Sequence, residues 1–312
     1  MKKIRTFILT FRRILALFGF LMLLGSSCFA QDIEPRRWSN IPLGTDILGV
    51  GYVHTNGKIF FDPLLQVQDA KFTSNSFIVQ YIKPFKIGSK SARLDVMIPY
   101  SIARWEGLLN GVSTTVNRNG IADPRIRISL NFIGMSAMKP KEMIEFLKTN
   151  PKRTSFGASL AITLPLGQYF DDKLLNLGQN RFVFRPQIGM LHHWKNWSYE
   201  LSGSVFLYTK NEDFSNGKTR KQNAVFAAQT HLIRSFKSKM WVSLSFGYGL
   251  TGESFVNNEP NNDDRSDILG ATSFGFALSK KQAIKLSYIR TETLNDIGAN
   301  LNSILLSWST RM

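Results

Sequence analysis

From Gly44 to the C-terminus the chain alternates apolar and polar residues in stretches of about ten, and each stretch gives way to a polar turn or loop. In the stretch WVSLSFGYGL, Val242, Leu244, Phe246, Tyr248 and Leu250 fall on one face, and Ser243, Ser245, Gly247 and Gly249 on the other. This is the two-residue period of a strand. One such strand fits a soluble sandwich as well as a barrel with lipid-facing and lumen-facing rows. The pattern recurs at about 44–54, 73–87, 91–105, 121–133, 154–165, 181–193, 197–209, 223–236, 240–251, 267–279, 282–292 and 301–310, which predicts twelve strands.

The connections favour the barrel. Those after the first, third, fifth, seventh, ninth and eleventh strands are long and polar, as in 110–120, 211–220 and 253–267. Those after the second, sixth, eighth and tenth are the tight turns GSK, WKN, FKSK and SKK. Outer-membrane barrels have short periplasmic turns and longer external loops, and an even strand count returns both chain ends to one side. The expected fold is therefore all-β: a single antiparallel transmembrane β-barrel of about 12 strands, with both ends in the periplasm. One connection on the periplasmic side, 134–153, is long, and within it KPKEMIEFLKTNP predicts a short amphipathic helix. Pro140 lies near its first turn, Met143, Ile144 and Leu147 share a face, and Pro151 follows its end. Such a helix would cap the lower rim or bind a partner. Trp38, Trp105, Trp194, Trp197, Trp241 and Trp308 all lie near predicted strand ends, where aromatic girdles sit.

The start of the chain carries an export signal. Lys2, Lys3, Arg5, Arg12 and Arg13 form a basic region, 14–25 is apolar, and 26–30 supplies small residues for cleavage. Residues 1–30 are read as a signal peptide and 31–312 as one barrel domain bound for the bacterial outer membrane. Cys28 is the single cysteine, so cleavage leaves no disulfide and no thiolate. The formal net charge is +17, of which five units lie in the signal, so 31–312 carries +12. On an exported chain such a charge points to lipopolysaccharide phosphates, lipid headgroups or an anionic solute rather than to nucleic acid. Barrel-assembly machinery is the other expected partner. No later apolar run is long enough for a transmembrane helix.

Catalytic, cofactor and metal chemistry find little support. None of the four histidines has a serine two residues away on its own strand, although cross-strand pairs stay open. His192 and His193 are adjacent and point to opposite faces, against a zinc site. Asp171 and Asp172, and Asp263, Asp264 and Asp267, read as solvated loop carboxylates without EF-hand spacing. The lumen holds the candidate functional residues. With the bulkier apolar row on lipid, Arg93, Asp95, Arg125, Arg127, Arg185, Gln187, Glu200 and Lys285 turn inward. They form either a salt-bridged network that stiffens the barrel or the wall of a passage favouring anionic or polar-aromatic solutes. Barrels of about 8 strands fill with their own side chains and those of 16–18 leave an aqueous channel, so 12 permit a narrow pathway.

Two stretches carry a family resemblance: RRWSNIPLGTDILGVGYVHTNGKIFFDPLL from Arg36 and the central LPLGQYFDDKLLNLGQNRFVFRPQIG. The chain resembles the MetA-pathway phenol-degradation family of outer-membrane transporter-like proteins. That resemblance implies an outer-membrane barrel that passes small, often aromatic, hydrophobic compounds, and it implies no catalytic residues. The expected function is a transporter or narrow channel. The alternatives are a structural or adhesive barrel displaying its external loops and a lipid-modifying barrel enzyme.

Overall fold

In the computed structural model, which describes residues 33–61 and 67–312, twelve antiparallel walls close into a barrel. The expected signal peptide, 1–30, lies outside the described residues. The first three walls are β1 (Ile47–Phe60), β2 (Val67–Ile87) and β3 (Lys90–Leu109). The fourth is one strand in two pieces, β4 (Val112–Ile121) and β5 (Arg125–Ser136), which pair with the outer and inner parts of β3. Then follow β6 (Lys152–Thr163), β7 (Val183–Trp194), β8 (Trp197–Tyr208), β11 (Val225–Ser235), β12 (Met240–Thr251), β15 (Arg265–Ala277), β16 (Gln282–Thr293) and β17 (Gly298–Arg311). Each pairs with its neighbour in sequence, and β1 with β17 closes the ring from Ile47↔Arg311 to Phe60↔Gly298. Closure removes the free strand edges that a sandwich would leave.

The two rows of each strand separate as a membrane requires. On β12, Leu244 is 64% and Phe246 51% exposed, while Ser243 and Ser245 are buried. Ile188, Ile304 and Leu306 continue the exposed apolar belt on other strands. Such a belt is stable against hydrocarbon and costly against water. The inward row is built from small polar residues, among them Ser129, Ser159, Ser202, Ser204, Ser273 and Ser287. Their short side chains leave space along the axis.

The strands run further than their apolar patterning predicts. β2 and β3 are 21 and 20 residues long, whereas crossing the bilayer takes about ten. The loop expected at 110–120 is a hairpin, turning at Asn110–Gly111 and returning as β4 with Leu109↔Val112 in register. The loops expected at 211–220 and 253–267 contain β9 (Asn211–Phe214), β10 (Lys218–Gln222), β13 (Ser254–Val256) and β14 (Glu259–Pro260), which form a second sheet in the order β14-β13-β10-β9. Connection 294–297, expected to be long, has four residues. These outer segments are mostly polar, with scattered apolar residues such as Val116 in β4 and Phe255 in β13, and so lack the continuous apolar row that marks a crossing strand. The central connection at 164–182 remains irregular.

At the opposite, periplasmic end the helix α1 (Pro140–Thr149) forms where the sequence places it. Pro140 begins it, and Glu142 accepts the Lys139 N–H at 2.8 Å, closing the first turn. Of the expected apolar face only Met143 is buried; Ile144 and Leu147 stay exposed.

Candidate functional site in the barrel lumen

The chain enters the barrel before it builds the wall. Residues 33–43 run inside the lumen from the periplasmic rim, where the Leu43 N–H bonds to the Met138 carbonyl at 2.8 Å, inward to Ile33 against Leu269 and Ala271. Trp38 is 2% exposed. The girdle expected for it is therefore wrong. Trp241 also faces inward, with the Arg36 guanidinium 5.4 Å from its ring, whereas Trp194, Trp197 and Trp308 stand on the outward row. Alternation alone assigns neither Trp38 nor Trp241, because an aromatic near a strand end suits both a lipid interface and a filled lumen.

One rung of the wall receives Trp38. Asn131, Gly157, Gly189 and Ser202 follow one another in register across β5, β6, β7 and β8. Asn131 donates its side-chain amide to the Trp38 carbonyl at 3.3 Å, and the indole Nε1–H donates to Ser202 Oγ at 2.7 Å. The two glycines form the floor: a Cβ at Gly157 or Gly189 would overlap the indole. Next along β8, Glu200 is fully buried and accepts the backbone N–H groups of Arg36, Arg37 and Trp38 at 2.7, 3.3 and 3.2 Å. Consecutive N–H groups converge in this way because Arg36 adopts φ 68°, a left-handed turn that makes an anion-holding nest.

The remaining candidate residues surround the tip of the segment. Glu34 meets Arg127 with both guanidinium nitrogens, Nη2 at 3.0 Å, and Arg125 Nη2 at 3.2 Å. Arg37 Nη1 reaches Asp95 at 3.4 Å, and Asp95 also holds Arg93 at 2.9 Å. Arg185 lines the same closed space as Glu34 and Arg127 and lies 4.5 Å above the Phe206 ring. Ser159 donates to Gln187 at 3.3 Å beside them. Lys285, on β16 across from Gly275, also turns inward and lies within electrostatic reach of Glu34. The structure thus brings Arg93, Asp95, Arg125, Arg127, Arg185, Gln187 and Glu200 around one inserted segment. The space left between Glu34, Arg127, Arg185 and His231 is about 0 Å³, and that between Trp38, Arg93 and Asn131 about 10 Å³, room for one water at most.

Glu34, Arg37, Trp38, Gly157 and Gly189 escape the strand pattern. Glu34 to Trp38 precede the first strand, and glycines in an inward row read as spacers. The available signal is charge: a buried wall with more arginines than carboxylates requires a counter-ion.

Toward the outer end the arginines continue against aromatic rings. Arg181 lies 4.2 Å above Tyr208 and donates to Gln222 at 2.6 Å, and Arg220 lies 5.2 Å above Phe214. Tyr208, Lys210, Lys221 and Phe255 line a cavity of about 500 Å³. Of the acidic residues expected in solvated loops, Asp172 pairs with Lys173 and Asp263 accepts the Ser254 N–H and hydroxyl, both at 2.6 Å, whereas Asp267 is no loop residue but lies fully buried on the inward row of β15. Among the described residues no three His, Cys, Asp or Glu side chains converge on a metal position. Cross-strand histidine pairs do occur, with His231 Nδ1 2.8 Å from Ser245 Oγ and His193 Nδ1 2.6 Å from Ser198 Oγ.

Among solved structures, the COG4313 outer membrane channel from Pseudomonas putida F1 superposes with a TM-score of 0.75 at 18% identity, covering 90% of this chain and 100% of its own. The Pseudomonas putida toluene transporter TodX gives 0.46 at 10% identity over 92% and 95% of the two chains. The β domain of the Bordetella autotransporter BrkA gives 0.47 at 10% over 86% and 100%. None of the curated proteins matches at the level of sequence. The stretch beginning RRWSNIPLG, one of the two that carry the family resemblance, covers residues 36–43 of the lumen segment. With the profile of that family matching residues 62–297, about three quarters of its length, this outer-membrane barrel belongs to the family described as "Putative MetA-pathway of phenol degradation".

Proposed function

We propose that the protein is a narrow outer-membrane channel for small solutes, closed by its own N-terminal segment and biased toward anions by its wall. The observation that carries this reading is the basic wall held by the inserted segment. Arg93, Arg125, Arg127 and Arg185 belong to the barrel, whereas Glu34 belongs to the segment. Withdrawal of the segment would take the Glu34 carboxylate away from Arg125 and Arg127. The likeness to a Pseudomonas putida barrel described as an outer membrane channel fits this reading, as does membership in a family described by phenol degradation. No catalytic role is assigned to the histidine pairs: among the described hydrogen bonds, none joins a carboxylate to the His231 ring.

The tight packing around the inserted segment favours a second reading, a structural or adhesive barrel that presents its outer sheet. Bilayer recordings separate the two. Deleting residues 33–40 should raise single-channel conductance well above wild type, with a reversal potential on the anion side in a salt gradient. Two unit charges about 4 Å apart interact by about 4 kcal/mol at an effective dielectric near 20. Arg125→Gln with Arg127→Gln in the deletion background should therefore move the reversal potential toward zero. A deletion variant that folds yet conducts nothing assigns the protein to the structural class.

A further inference from the structure

We infer that the outer end of the seam between β8 and β11 binds a phosphorylated glycolipid of the lipid A class, with a phosphate between Lys210 and Lys221 and an acyl chain on the lipid face below. The site is the same whether or not the lumen conducts. The two strands pair outward as far as Val225↔Phe206, and pairing resumes further out, in the same register, at Arg220↔Asn211 of β10 and β9. In between, 207–210 and 221–224 part from each other while each keeps its other neighbour. The Thr209 N–H bonds to the Phe182 carbonyl at 3.0 Å, and the Asn223 N–H to the Glu253 carbonyl at 2.9 Å. The shared register sets Lys210 opposite Lys221 across the gap. Like charges directly opposite each other destabilise a sheet, and an anion held between them offsets that repulsion. The cavity of about 500 Å³ beside Tyr208 is this gap, and among the described residues that line it there is no carboxylate. Lys221 Nζ donates to the Asn258 side-chain oxygen, and Lys210 is exposed. Such ammonium groups act as point charges suited to a phosphate.

The lipid face of the same strands supplies the rest of the ligand. Gly203 on β8 pairs with Ala228 on β11, and Ile188 and Tyr248 flank them on one rung. Two small residues between two large ones leave a trough, an open groove of about 500 Å³ whose outer part is walled by Val205, Phe226 and Leu250. A Cβ at Gly203 would meet nothing within 4 Å. Phe226 lines the groove and Asn223 the gap, so the two sites lie about 10 Å apart along the strand. Leu207, Phe226 and Leu250 are the outermost exposed apolar residues of β8, β11 and β12, which sets the gap where the hydrocarbon ends. A molecule that fills both places is an amphiphile with a phosphate at its head. Gln222, Asn223 and Asn258 also line the gap, and their amides suit the hydroxyls of a sugar head. The outer leaflet carries such a lipid.

Native mass spectrometry of the folded barrel, titrated in detergent with bisphosphorylated lipid A, reads the site. Lys210→Gln with Lys221→Gln should weaken lipid A binding about tenfold, which corresponds to about 1.4 kcal/mol. Gly203→Leu fills the groove without removing a charge and should weaken binding several-fold. Lys280→Gln with Lys281→Gln, at a periplasmic turn, and Ile304→Phe, on the lipid face of β17, should change nothing. Dephosphorylated lipid A and phosphatidylethanolamine should bind wild type no better than bisphosphorylated lipid A binds the lysine variant. Glucosamine 1-phosphate, a head without chains, should not compete. Lys221 also holds Asn258, so if the double variant loses its heat-modifiable folded form, Lys210→Gln alone carries the test with a smaller loss in the same direction. Unchanged lipid A binding in the folded lysine variant or in Gly203→Leu overturns the site. Equal retention of phosphatidylethanolamine would mean a general lipid coat, and effective competition by glucosamine 1-phosphate a site for a soluble anion; either result overturns the assignment to lipid A.

Discussion

At the residue scale the inserted segment is seated by a match between one indole and two absent side chains. Gly157 and Gly189 face each other across β6 and β7, and the Trp38 ring occupies the volume their Cβ atoms would take. The wall is tied on both sides by ladder hydrogen bonds and cannot retreat, so a methyl group there must move the indole. Gly189→Ala should leave the barrel folded but loosen the segment by about 1–3 kcal/mol, the usual cost of overpacking, which raises the displaced population about tenfold or more. Gly203→Ala is the control, because a Cβ at Gly203 meets nothing within 4 Å. Mean conductance in planar bilayers should rise for the first variant and not for the second. Equal behaviour of the two would mean that Trp38 does not hold the segment. Glu200 acts in the same latch, and its place in the inward row is legible from alternation alone. What it holds is not, because its partners are backbone N–H groups of residues 36–38, which no side-chain pattern reports.

At the element scale each crossing strand has one face for lipid and one for the interior, and a single substitution tests which is which. Leu244→Arg places a charge against hydrocarbon at a cost of about 2–4 kcal/mol near the midplane, so the yield of heat-modifiable folded barrel should fall. Ser245→Arg keeps its charge off the lipid. Read from the strand pattern alone it would be a tolerated change that narrows an open lumen. In the structure Ser245 is buried, bonded to His231, and one strand away from the Ala271 that packs against Ile33. The expectation is therefore insertion with an altered seating of residues 33–38, seen as faster thiol labelling of Ser39→Cys in a Cys28→Ser background. Strands that cross lipid are readable because two solvents impose two rows. Segments such as β4, β9 and β10 lie beyond the lipid-crossing part of the wall, so their register comes from backbone pairing and turn residues like Asn110, Gly111 and Gly217 with positive φ. The helix α1 was readable for a different reason: Pro140, Glu142 and Pro151 mark its ends whatever it packs against.

At the scale of the whole molecule, orientation follows from the asymmetry between the barrel's two ends. One end carries the tight turns near Gly88, Lys195 and Lys239, both ends of the wall at Ile47 and Arg311, and the entry of the lumen segment. The other carries extended hairpins and the second sheet. Since short turns face the periplasm in outer-membrane barrels, α1 and the segment's entry are periplasmic, and the basic cavity beside Tyr208 opens to the outside. The latch is thus reached from within the cell envelope. Single cysteines in a Cys28→Ser background test this placement. Asn216 and Asn262 occupy turns of the outer hairpins with φ 66° and 49°, and Cys there should label on intact cells with an impermeant thiol reagent. Lys148 is exposed on α1 and pairs with Glu145 at 2.7 Å, so Lys148→Cys perturbs little and should label only once the outer membrane is breached. External labelling of Lys148→Cys with protected Asn216→Cys would invert the barrel, and the segment would then close a mouth that faces the medium.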